Sequence, residues 1–138
     1  MTADRKAGMP VPIVLMTTAD MRARRDAELV RLVRSVEEFH VLHPSVPLHH
    51  VMLLQRCPNP AAKAARLGFP GRMDVFASDT QIPLSIARNM MINRLLKDPP
   101  FALGDALVAF PDDDAWYPHG TLEHIHALFT KEIGRAHV

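Results

Sequence analysis

The chain has very little cysteine. Cys57 stands alone, so an internal disulfide framework is excluded, which fits a reducing compartment. Net charge is also missing: 16 Lys+Arg face 15 Asp+Glu, which gives no sign of a nucleic-acid or membrane partner. No long apolar run is present. The best one near the start, Val11 to Met16, falls far short of the roughly 20 residues a membrane span needs. The polar start, Met1-Thr2-Ala3-Asp4-Arg5-Lys6, lacks the apolar core of a signal peptide. Neither GxGxxG nor GxxxxGK follows the first apolar segment, so a dinucleotide fingerprint and a P-loop are both unsupported. No repeat or low-complexity tract is evident. What remains is 138 residues, 48% hydrophobic and 22% charged, an ordinary globular composition sized for one compact domain. The expectation is a cytoplasmic segment, with membrane association of a longer parent left open.

Apolar segments alternate with helical patterns. Pro12 to Met16 reads as a strand, followed by Thr17-Thr18-Ala19-Asp20 with three candidate N-caps. A helix is predicted from about Met21 to His40, with Leu29, Leu32, Val33, Val36 and Phe39 at helical spacing. His49 to Leu54 is a second strand. Pro60 and Gly68 frame a short helix. Met73 to Ala77 is a third strand, Leu84 to Lys97 a helix stopped by Asp98-Pro99-Pro100, and Ala106 to Phe110 a fourth, buried strand. Leu122, Ile125, Leu128 and Phe129 mark a last helix. Such alternation predicts parallel βαβ units.

The fourth strand ends in Asp112-Asp113-Asp114. Three adjacent carboxylates repel one another and resist desolvation, so they must meet water, a cation, or both. Three readings stand: a solvated acidic turn, a Walker-B-like strand end that lacks its P-loop, or a divalent-cation site for a nucleotide diphosphate. The carboxyl end of a strand in an open α/β sheet is where ligands bind. Upstream, Ser85-Ile86-Ala87-Arg88-Asn89 lies near a helix start. Arg88 could contact a phosphate or order the acidic loop, or simply face water.

Together, Leu84-Ser85-Ile86-Ala87-Arg88-Asn89, a hydrophobic strand, and Asp112-Asp113-Asp114 with Pro118 following resemble the nucleotide-sugar glycosyltransferases of the GT-A fold, most closely glycosyltransferase family 2. The opening Val11-Pro12-Ile13-Val14-Leu15-Met16-Thr17-Thr18 is similar to that family's first strand and nucleotide-contacting loop. The resemblance runs from about Val11 to Phe129. It implies a mostly parallel, Rossmann-like α/β sheet of the GT-A type. It also implies a nucleotide-diphosphate-sugar donor, an acceptor of unknown identity, and Mg2+ or Mn2+. Thr17 would lie beside the nucleoside. Arg88 and Asn89 would serve the nucleotide sugar, and Asp112 and Asp113 the ribose or diphosphate. The metal would fall to Asp112 and Asp114. Where the family often carries an acidic residue at the end of the second strand, this chain reads Gln55-Arg56-Cys57. The competing reading is a non-catalytic α/β binding module with a solvated acidic loop.

Other residues are less specific. His49 and His50, adjacent in a strand, point to opposite faces. His124 and His126 do not share a helix face. His119 lies near the acidic loop and could approach a ligand. Arg22, Arg24 and Arg25 crowd the start of the first helix, where an anion or water would suit them. Trp116 and Tyr117 either wall a sugar site or pack the loop. Cys57 has no catalytic partner and reads as a passive thiol.

The last residues, Glu132-Ile133-Gly134-Arg135-Ala136-His137-Val138, can be encoded by GAG-ATC-GGA-AGA-GCA-CAC-GTC. From its second base that string matches a widely used sequencing-library adapter, whose next codon in this frame is a stop. The expected organisation is therefore a flexible start (residues 1–10), the N-terminal nucleotide-sugar-binding part of a GT-A domain (residues 11–131), and a non-native tail (residues 132–138). On this reading the fold is truncated after the acidic motif and the helix that follows it. No catalytic base is assigned, because the resemblance puts it later in the domain. The fragment itself is expected to bind nucleotide weakly and not to turn over.

Overall fold

The computed structural model describes residues 8–136. Residues 1–7 of the expected flexible start, and His137 and Val138 of the suspected tail, lie outside the described residues. Four strands alternate with four helices: β1 (Ile13–Asp20), α1 (Asp26–Leu42), β2 (Leu48–Gln55), α2 (Pro60–Leu67), β3 (Arg72–Ser78), α3 (Leu84–Lys97), β4 (Leu107–Ala109) and α4 (Thr121–Ala136). All strand pairs are parallel, in the order β3-β2-β1-β4. The chain is thus an α/β fold with a Rossmann-like parallel sheet. Among the described residues no helix is long and apolar enough to cross a membrane.

Strand parity sorts the core into two faces. Ile13, Leu15 and Ala19 of β1 point to the face covered by α1, α2 and α4, through Leu29, Val33, Val36, Phe39, Leu67 and Leu122. Val14 and Met16, with Val51 and Leu53 of β2, point to the other face, where α3 packs Ala87, Met91 and Leu95. The chain steps from β1 to β2 to β3 in one direction, then returns past both to β4. Right-handed crossovers require the connecting helix to change face when the direction reverses, and α3 does so. The switch point therefore lies between β1 and β4, and ligand crevices open at such points.

Local chemistry explains most boundaries. The Asn59 side chain accepts from Ala62 N at 3.3 Å to cap α2, Pro60 occupies its first turn, and Gly68 leaves it at φ 62°. α3 spans the predicted residues. The helix predicted from Met21 starts later. Asp20 caps a 3-10 turn, Met21–Ala23, by accepting from Arg22 N at 3.2 Å, and Arg24 turns left-handed at φ 57°. Only then does α1 begin, with Asp26 and Glu28 in its first turn, where the helix dipole favours them.

Two strands also differ from expectation. β1 continues four residues past Met16, because Thr17 to Asp20 find ladder partners from Met52 to Gln55. β4 is shorter than Ala106–Phe110 and lies at the sheet edge, paired only with β1. It is not a buried strand: Val108 is 40% and Phe110, just past its end, 37% exposed, because they point to the face where α3 packs on β1 and β2 and leaves this edge partly uncovered. α4 crosses the predicted tail boundary at residue 132 without a break, and Ile133 packs on the core beside Phe129.

Candidate functional site

A cleft of about 320 Å³ opens at the carboxyl ends of β1 and β4. Thr18 and Asp20 reach it from β1, Gln55 from β2 and Arg88 from α3, while Asp112, Asp113 and Asp114 close the far side. The acidic residues form a turn in which Ala115 N donates to the Asp112 carbonyl at 3.0 Å, with Asp113 and Asp114 at its centre. Arg88 lies with its guanidinium 5.3 Å from the centre of the Phe110 ring, at the foot of that turn.

One stripe of α1 straps the acidic loop in place. Arg25 Nε stands 3.5 Å from the Asp113 carboxylate. Arg31 donates to the Asp114 carbonyl at 3.1 Å and lies over the Trp116 ring. Ser35 accepts from Tyr117 N at 3.0 Å and donates to the Leu32 carbonyl at 2.7 Å. Glu38 pairs with His119. Residues 31, 35 and 38 lie close to one face of α1, with Arg25 just before its first turn, so successive loop residues meet successive turns. The triplet's repulsion is handled unevenly. Asp112 and Asp114 are exposed to water, whereas Asp113 is half-buried beside Arg25. Burial pushes the Asp113 carboxyl above its ordinary range; Arg25 opposes this, while Asp114, Asp112 and Glu28 reinforce it. Replacing Ser35 with Ala leaves Tyr117 N without its acceptor. The expected cost is about 1–2 kcal/mol, read as roughly tenfold faster hydrogen exchange at the Tyr117 amide.

The floor of the cleft is a fixed polar chain. Ile82 N donates to Gln55 Oε1 at 2.7 Å, Gln55 Nε2 donates to Thr18 Oγ1 at 2.8 Å, and Thr18 donates to the Leu53 carbonyl at 2.9 Å. Beside it, Arg56 donates through two nitrogens to the Asp20 carboxylate, one bond measuring 2.9 Å. The Arg56 hydrogen bond holds Asp20 below the usual carboxylate range despite some desolvation.

Of the residues singled out in the sequence, Arg88, Asp112, Asp113 and Asp114 come together in this cleft. Thr17 does not. It is buried on the opposite face, sharing a 2.9 Å hydrogen bond with His50, because strand alternation turns Thr18 toward the cleft instead. Asn89 is exposed and does not line the cleft, one helical step away from Arg88. Trp116 and Tyr117 do not line it either: Trp116 lies half-exposed beneath Arg31, and Tyr117 packs on the core. His119 is held on Glu38. His49 and His50 do point to opposite faces, toward Phe101 and Phe69 respectively. Thr18, Asp20 and Gln55 line the cleft as well, Gln55 at the strand-end position where the resemblance leads one to expect an acidic residue. Their parity with Met16 and Leu53 was the available signal. Nothing local in the sequence pairs Arg56 with Asp20 or Arg25 with Asp113.

Among the described residues no three His, Cys, Asp or Glu side chains converge as a closed metal cage. A hard cation that brings phosphate oxygens and water needs only one or two carboxylates. Asp112 and Asp114, exposed on the cleft wall, are the two carboxylates that could offer oxygens to such a cation, while Asp113 already faces Arg25. The chain matches no protein-family model, and it matches no curated protein.

Proposed function

We propose that the cleft is the donor-binding half of a GT-A nucleotide-sugar glycosyltransferase of the family 2 type. The parent enzyme would transfer a sugar from a nucleotide-diphosphate sugar to an acceptor. One observation carries the reading: Arg88 and the three carboxylates of the acidic turn face a single cleft at the β1–β4 switch point. A diphosphate needs cationic partners. Arg88 offers a planar, two-pronged donor. Asp112 and Asp114 would hold Mg2+ or Mn2+, which when bound supplies Lewis-acid stabilisation of charge on the leaving nucleotide. Arg31 and Ser35 fix the backbone of the acidic loop, so that little ordering remains to be done on binding. Gln55 is engaged at both ends of its amide and Asp20 is engaged by Arg56, so both shape the cleft wall. The cleft, about 320 Å³ and open to solvent, is of a size for a small-molecule ligand. No catalytic base is assigned among the described residues.

Calorimetry with a panel of nucleoside diphosphates, with and without Mn2+, tests the proposal. Binding is expected only with the metal, and Asp114→Ala should weaken it by about tenfold or more. A second reading, a non-catalytic module, draws on the Arg25–Asp113 pair, which already supplies the triplet with one cation. Metal-independent behaviour together with a silent Asp114→Ala variant would favour that reading.

A further inference from the structure

The amino end of the sheet, opposite the acidic cleft, carries another cavity of about 360 Å³ between the start of β3 and the last turn of α3. His49, Arg72, Asp74, Arg94, Lys97 and Asp98 line it. Asp74 is fully engaged: Arg94 donates to both of its carboxylate oxygens, at 3.0 and 2.7 Å, and rests 4.3 Å from the centre of the Phe76 ring. Arg72 has a weaker partner. Asp98 lies 3.7 Å away, and the two side chains are 56% and 87% exposed, so water screens the contact. No hydrogen bond or ion pair engages Lys97 among the described residues. With Arg94 and Asp74 neutralising each other, Arg72 and Lys97 outnumber Asp98, a carboxylate exposed enough to swing away.

His49 adds a polar group of a different kind to the cavity wall. It is only 3% exposed, yet it forms part of the cavity wall, and among the described residues no hydrogen bond engages either nitrogen of its ring, Nδ1 being fully enclosed and Nε2 the one left to face the cavity. An unpaired polar atom in such a place is costly. Phe101 meets the ring edge-on. Burial, reinforced by Arg72 and opposed by Asp74 and Asp98, keeps the imidazole on the neutral side of its ordinary range.

We propose that this cavity binds a small oxyanion of the phosphate type, with Arg72 and Lys97 supplying the charge and His49 a ring N–H. The guest replaces Asp98 on Arg72 and gives Lys97 a partner. The carboxyl end of the α3 dipole disfavours an anion, so recognition falls on the side chains and the affinity is modest. The inference does not depend on the glycosyltransferase reading, because the two sites lie at opposite ends of the sheet.

The test follows the imidazole resonances of His49 by NMR in the full chain, titrated with inorganic phosphate and, separately, with ribose 5-phosphate. A saturable shift is expected, with the His49 titration moving to higher pH as the bound anion favours its charged form. The double variant Arg72→Ala, Lys97→Ala alters two surface side chains and should weaken the response at least tenfold. A lower half-saturation for ribose 5-phosphate would assign the guest to a phosphomonoester, and equal values would assign it to free phosphate. An equal shift from sodium chloride at matched ionic strength, or an undiminished response in the double variant, overturns the proposal.

Discussion

Acidification from pH 7 to pH 4.5 is expected to cost the fold about 2.5 kcal/mol through His50 alone, a fall of roughly 10 °C in Tm. His50 is completely buried between β2 and the helices above it, against Phe69, with Nε2 on Thr17 and Nδ1 unpaired. Burial pushes its pKa down to about 3, with His49 adding to the effect. In the unfolded chain the ring takes up a proton near its ordinary value of about 6.5. Because the folded value is the lower one, the stability is complete above the unfolded pKa. It declines by about 1.4 kcal/mol per pH unit as pH falls through the window down to about 3. His49 is lowered as well and adds in the same direction. Asp20 and Asp74, also lowered, lose their contributions only below their unfolded values, near 3.8. His119 acts oppositely. Its bond to Glu38 raises its pKa, so that contribution is present at low pH and is lost as pH rises through the folded value. Thermal unfolding measured from pH 7 to pH 4.5 checks the expectation. His50→Gln retains a group able to meet Thr17 and cannot be protonated, so its profile should be flatter. An unchanged slope in that variant would show that His50 is not the source.

Gly71→Ala is expected to destabilise the protein by about 2–3 kcal/mol. A Cβ at residue 71 would stand 2.5 Å from the Leu48 carbonyl oxygen and 2.6 Å from Leu48 Cβ. Neither atom is the end of a flexible side chain. Leu48 opens β2 and is pinned by β1 through Ile13, with its own side chain in the core. Relief must come from moving the start of β3, whose ladder to β2 begins at His49–Arg72. Gly104→Ala is the control. A Cβ there has nothing within 4 Å, and the change should stay within about 0.5 kcal/mol. Urea denaturation of the two variants separates a clash from a general glycine effect, since a general effect would make the two costs alike.

Much of the architecture was legible because it rests on short-range rules. α2 follows from Asn59, Pro60 and Gly68, and α3 from an apolar stripe ended by Asp98-Pro99-Pro100. The alternation of strand and helix was enough for a parallel α/β sheet. The acidic turn and Arg88 stood out as chemistry that needs a partner, and both line the cleft.

The rest depended on contacts between residues far apart in the chain. Whether Thr17 or Thr18 faces the cleft turns on one step of strand parity, and an apolar run that ends in polar residues does not show where its alternation continues. β4 looked buried because its residues are apolar; its place at the edge comes from strand order, which no segment encodes by itself. Arg56 finds Asp20 across 36 residues, and α1 reaches the acidic loop across more than 80. The sequence alone therefore determined which segments are strands and helices, and that three carboxylates at a strand end require water or a cation. Only the tertiary structure decided which carboxylate receives Arg25 and which two stay exposed to water. Charge pairing depends on distance in space, and that distance exists only once the sheet has set its order and register.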